Sequence, residues 1–80
     1  MATYAPPKKH SLTLAGHRTS VTLEPPFWRA FQELAMSEGV SINALAARID
    51  AARPAEVGLA SAIRSHVLEE ALRRARSAEE

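Results

Sequence analysis

The sequence predicts a mainly helical domain with a short β segment near its N-terminal end, completed by a second copy of the chain. Three observations carry this. Residues 10–14 and 18–24 each alternate apolar and polar side chains with period two, and three later stretches carry apolar residues at helical spacing. The third is composition. Of 37 residues in the hydrophobic class, 16 are alanine and only 15 are Val, Ile or Leu. An 80-residue chain buries roughly 60% of its unfolded surface, and alanine adds little per residue buried. Domains this small commonly need disulfides, a metal or a second subunit. There is no cysteine, which excludes disulfides and thiolate zinc sites and leaves a partner chain as the staple.

Residues 1–9 contain a Pro pair and no periodicity, and read as a flexible basic arm. In 10–14 the apolar residues are Leu12 and Leu14; in 18–24 they are Val21 and Leu23, with Arg18, Ser20 and Thr22 on the opposite face. The residues between, Ala15-Gly16-His17, fit either a hairpin turn or a loop. Glu24-Pro25-Pro26 stops the strand, and Pro suits a first helical turn. Phe27, Phe31, Leu34 and Ala35 then predict a helix over about 26–38, ended by Gly39 at a position that favours positive φ. Ser41 is a good N-cap for a second helix over 42–52, with Ile42, Leu45 and Ile49 on one stripe and Pro54 beyond its end. A third helix over 59–76 places Leu59, Ile63, Val67 and Leu72 on one face with Leu68 alongside, and residues 77–80 should fray. The domain is thus expected over 10–76, between the arm and the frayed tail.

Net charge is +1, but it is unevenly spread: residues 1–18 carry +3 with no acid, and 19–80 carry −2. A basic end on a nearly neutral body suits a polyanion contact confined to that end, or simply a solubilising arm. No apolar run approaches the roughly 18–20 residues of a membrane span, and the first ten residues lack the apolar stretch of a secretory signal. The expectation is a cytoplasmic protein with no membrane contact. Serines are plentiful without a nucleophile motif or an acid–base set, and His10, His17 and His66 are scattered. No catalysis, no cofactor and no metal site are expected.

A single strand cannot satisfy its own backbone groups. Either residues 10–14 pair with 18–24, or a second chain does. Two copies pairing 18–24 antiparallel about a twofold axis would make a ribbon with Val21 and Leu23 turned to the helices. Arg18, Ser20 and Thr22 would then face outward. A DNA major groove admits such a ribbon, where Arg reads guanine bidentately and Ser or Thr reads with weaker preference.

At residues 18–24 stands R-T-S-V-T-L-E, at 25–35 P-P-F-W-x-x-F-x-x-L-A, and at 39–45 G-V-S-I-N-x-L. These stretches resemble the ribbon-helix-helix family of Arc/MetJ-type regulators. The longer run K-K-H-S-L-T-L-A-G-H-R-T-S-V-T-L-E at 8–24, with R-I-D-A-A-R-P at 48–54 and L-A-S-A-I-R at 59–64, is similar to a short bacterial subgroup with a G-H-R-T-S-V-x-L-E opening. The resemblance spans about residues 9–70. It implies an intertwined ribbon-helix-helix homodimer, here with an extra C-terminal helix. It also implies a transcriptional regulator that inserts an antiparallel ribbon into the major groove of double-stranded DNA. Its base-reading positions fall on Arg18, Ser20 and Thr22, and its phosphate anchor on Ser41, Ile42 and Asn43. Lys8 and Lys9 would add phosphate attraction from the arm.

The rival is a non-enzymatic interaction module, an adaptor or antitoxin-like protein, that keeps the dimer fold and binds another protein through its third helix or its arm. Strand count discriminates them. Two strands with Arg18 exposed favour DNA; a four-stranded dimer sheet with its polar face blocked favours the interaction module. Arg48, Asp50 and Arg53 are read as groups that fix the third helix, and Phe27, Phe31 and Leu34 as core. Trp28 is read as sealing the strand–helix corner or standing at a dimer boundary.

Overall fold

A computed structural model describes residues 4–79. The elements, in chain order, are β1 (Lys8–Leu14), β2 (His17–Leu23), α1 (Pro25–Glu38), α2 (Ile42–Ala52) and α3 (Leu59–Glu79). Residues 1–3 of the expected arm and residue 80 of the expected tail lie outside the described residues.

The two strands form an antiparallel hairpin in which His10 faces Val21, Ser11 faces Ser20 and Leu14 faces His17. Ala15 and Gly16 close it, both at positive φ (50° and 82°). A two-residue loop of this kind matches the right-handed twist of the strands it joins. Glycine adopts the conformation freely, whereas Ala15 meets some steric cost. The hairpin is longer than the alternation suggests. β1 starts at Lys8 because Lys8 and Lys9 find partners in Leu23 and Thr22, so both lysines are strand residues rather than part of an arm. His17 opens β2 instead of belonging to the turn, and α3 carries helix through 77–79, where fraying was expected.

Each helix end has a physical stop. Pro25 and Pro26 open α1 after Glu24, so two N–H groups that would lack acceptors are simply missing. Gly39 ends α1 at φ 70°, with its own N–H donating to the Met36 carbonyl and the Val40 N–H donating to that of Ala35. Ser41 caps α2, its Oγ accepting from the Ala44 N–H at 3.0 Å. Beyond α2, the Arg53 guanidinium binds Asp50 Oδ1 and the Val57 carbonyl, each at 2.7 Å. It thereby fixes the bend that launches α3. Arg48 points elsewhere, to Glu38 at 2.8 Å, and ties α2 to the end of α1.

The helices cover one face of the hairpin, α2 against β1 and α3 against β2. The core is Leu12, Val21 and Leu23 from the strands, Phe31, Leu34 and Ala35 from α1, Leu45, Ala46 and Ile49 from α2, and Ile63 and Val67 from α3. Phe31, Leu23, Leu45 and Ile63 are the largest fully enclosed side chains. Phe27 is only half-buried, packed on the edge of this cluster. Trp28 seals the strand–helix corner by stacking on His10, with centroids 3.8 Å apart and planes 6° from parallel.

Two expectations need correction. β2 finds its partner within the chain, so strand pairing by itself does not require a second copy, and one chain closes a continuous core. Leu68 and Leu72 are not on the buried face of α3; they stand 53% and 48% exposed, because the inward row is Leu59, Ile63 and Val67 at a strict four-residue spacing.

Arg64 lies on the flank of α3 and closes the corner between β2 and α1. Its Nε donates to Glu24 at 2.9 Å and its Nη2 to the Thr22 carbonyl at 3.3 Å. The hydrogen bond from Arg64 holds the Glu24 carboxyl below its ordinary pKa. A lowered folded-state value means that this contribution is complete above the ordinary carboxylate range and is lost as pH falls through the depressed value. Glu24→Gln is therefore expected to lower stability at neutral pH and to flatten the fall in melting temperature on acidification. Melts between pH 7 and pH 3 check it, and an unchanged acid slope would remove the assignment.

Candidate nucleic-acid interface

Antiparallel pairing places facing residues on the same side of a sheet. Val21 and Leu23 turn to the helices, as do Leu12 and His10 opposite or beside them. The other side therefore carries three cross-strand pairs: Lys9 with Thr22, Ser11 with Ser20, and Thr13 with Arg18. All six are exposed, none is acidic and two are cationic. Arg18, Ser20 and Thr22 do share one face, as their spacing predicted. The second row, Lys9, Ser11 and Thr13, comes from β1 and was not singled out in the sequence. The signal for it is the same period-two alternation, carried back from Leu12 and Leu14 to residue 9.

The two expected lysines part company. Lys9 joins the polar face, while Lys8 stands opposite Leu23, on the helix-side register at the open end of the hairpin. Both are exposed.

Hairpin geometry also settles which edge is open. With a two-residue loop, Leu14 and His17 form the first hydrogen-bonded pair, and the bonded pairs then alternate. Thr13 thus turns its N–H away from β2, and Asn43 Oδ1 accepts it at 3.1 Å. The first turn of α2 is in this way fastened to the outer edge of β1. On the far side, Arg18, Ser20 and Thr22 turn their backbone groups outward. The Thr22 carbonyl is met by Arg64, while among the described residues the backbone groups of Arg18 and Ser20 have no partner. β2 therefore presents an open edge at its centre.

The start of α2 is arranged differently from the polar face. The Ser41 hydroxyl and the Asn43 amide oxygen are committed to Ala44 and Thr13, and Ile42 is half-buried against the core. What this turn can offer an anion is the backbone N–H groups of Ile42 and Asn43, which have no acceptor within the helix, at its positive dipole end. Arg64, which ties the end of β2, lies 40 residues from Glu24. No local pattern could have revealed it.

A ribbon-helix-helix domain model matches residues 7–71. No curated protein and no solved structure matches the chain.

Proposed function

Because the chain belongs to the ribbon-helix-helix family, whose domains generally form homodimers and bind DNA without catalysis, we propose that it is a dimeric, duplex-binding transcriptional regulator. The observation that carries the reading is the exposed, acid-free face of the hairpin, next to an open edge of β2. Two copies joined antiparallel along that edge, about a twofold axis near Ser20, would give the order β1-β2-β2-β1. The bare backbone groups of Arg18 and Ser20 would be paired in the process.

Such a sheet is wider than a two-stranded ribbon. At about 4.8 Å per strand the two outer strands lie roughly 14 Å apart, against a major groove about 12 Å wide and 8.5 Å deep. The face is not blocked, since β1 lies beside β2 rather than over it. It straddles the groove, with the β2 strands above the bases and the β1 strands above the phosphate rims. Arg18 alone on β2 has the reach to read a guanine edge. Ser20 and Thr22, proposed from the sequence as base contacts, assist only where the groove widens towards them. Lys9, Ser11 and Thr13 serve phosphates, as do the backbone at Ser41, Ile42 and Asn43 and, more diffusely, Lys8. Such a regulator would act in the cytoplasm; among the described residues no helix is long and apolar enough to cross a membrane.

The test is fluorescence anisotropy with a duplex from the protein's own upstream region and a scrambled duplex, each at two salt concentrations. Tighter binding to the first, weakening on both as salt rises, is the expected result. Weak, equal and salt-erased binding would overturn specific recognition and favour the interaction module.

A further inference from the structure

On the outward side of α3, Ser61, Ser65, Leu68, Leu72, Ala75 and Glu79 recur at alternating spacings of four, three, four, three and four. This is the spacing of a coiled-coil seam, with apolar residues at the third, fourth and fifth of its six positions. Leu68 and Leu72 are about half exposed, and Ala75 is exposed beside them. A lone surface leucine needs no explanation, but two on one seam, with small Ala71 and Ala75 flanking them, form a strip that another helix can approach closely.

Charge selects the occupant. Within α3, Glu70 is already held by Arg73 and Arg74. Glu69 and Arg76 are left without an ion-pair partner among the described residues. They lie seven residues apart, so they occupy equivalent places on the same flank of the seam. In an antiparallel pair of α3 helices centred near Leu72, Glu69 of each copy meets Arg76 of the other, while Leu68 meets Ala75 and Leu72 meets its own counterpart. A parallel pair would set Arg76 beside Ala71, and Glu69 beside an Arg64 already held by Glu24, and so gain no new ion pair.

We propose that the outward face of α3 binds the α3 of a second copy in antiparallel register, through Leu68, Leu72 and Ala75 with Glu69–Arg76 pairs on one flank. This axis differs from the one near Ser20. Arg64 marks where α3 passes the end of β2, and the contact is centred two turns further along. The α3 contact therefore joins copies that are not already joined through β2, and couples one ribbon dimer to the next.

Sedimentation velocity on the full chain tests the association. Leu68→Glu with Leu72→Glu is expected to reduce the assembled species to the ribbon dimer while circular dichroism stays unchanged, since both residues point to solvent. Glu69→Arg alone is expected to do the same, and Glu69→Arg with Arg76→Glu to restore it. An unaltered mass in all three variants would overturn the proposal. So would failure of the double swap to rescue. The chain has no cysteine, so direction can be read by cross-linking. Leu72→Cys should form a disulfide between copies and Ser61→Cys should not; equal cross-linking at both positions would overturn the antiparallel register. Because the proposal rests on the reading of β2 as the dimer edge only for the size of the assembly, the two fail separately. Loss of the β2 contact leaves a pair joined through α3 as the largest species, and loss of the α3 contact removes the response to these substitutions.

Discussion

Phe31→Ala is expected to cost about 3–5 kcal/mol, the range for deleting an enclosed aromatic ring that leaves a cavity. Phe31 is fully enclosed, belongs to the central helix row with Leu34 and Ala35, and sits with its ring centroid 5.9 Å from that of Trp28. A chain of 80 residues has a total stability of roughly 4–12 kcal/mol. The substitution therefore removes a large part of what holds the domain folded, and the urea midpoint should fall far below that of the parent. Urea unfolding followed by helical circular dichroism is the measurement. Met36→Ala, on the same helix but 79% exposed, is the control and should fall within about half a kcal/mol of the parent. Whether a second copy adds to this core is read by dilution: because one chain closes it, helicity is expected to survive below the dissociation of the dimer, and helicity lost on dilution would mean that copies share it.

That last question shows where the sequence was legible and where it was not. The helices could be read because their stops are local chemistry. Gly39 takes a positive φ, Ser41 caps its own helix, and Pro25 and Pro26 lack the N–H groups an opening turn would waste. The outward row on β2 could be read because side-chain direction in a strand depends only on parity. Partnership is different. Whether 10–14 pairs with 18–24 depends on two residues at positive φ, one of them an alanine whose side chain gives no warning. That single fact moves Lys8 and Lys9 into a strand and adds Ser11 and Thr13 to the polar face. It also removes strand pairing as a reason for a dimer. The face of α3 failed for a related reason. Leu68 and Leu72 continue an apolar pattern that fits either side of the helix, and only the positions of α1, α2 and β2 around α3 decide that Ile63 and Val67 face inward. Asn43 and Arg64 act across 30 and 42 residues of chain, on backbone groups of strands whose existence has to be known first.

Arg18→Ala and Ser20→Ala together separate a sheet that straddles the groove from a ribbon sunk into it. In the straddling arrangement Arg18 is the one side chain of the β2 row that reaches a base edge, and its loss should cost about 1–3 kcal/mol, roughly 5- to 150-fold in affinity, and relax specificity at that base. Lys9→Ala acts on phosphate. It should weaken the cognate and scrambled duplexes alike and lower the salt slope by about one per copy. Ser20→Ala decides between the geometries. Its side chain ends at the γ oxygen, so above a groove about 8.5 Å deep it touches no base unless the sheet enters fully. Unchanged specificity in Ser20→Ala, beside a large loss in Arg18→Ala, is the expected pair of results. Equal losses of specificity in the two variants would mean that the central strands descend to the base edges and that the β1 strands bend away from the phosphate rims to let them. Binding unaltered by Arg18→Ala at every salt concentration would remove the face from recognition altogether, and with it the reason for its two cations and missing acids.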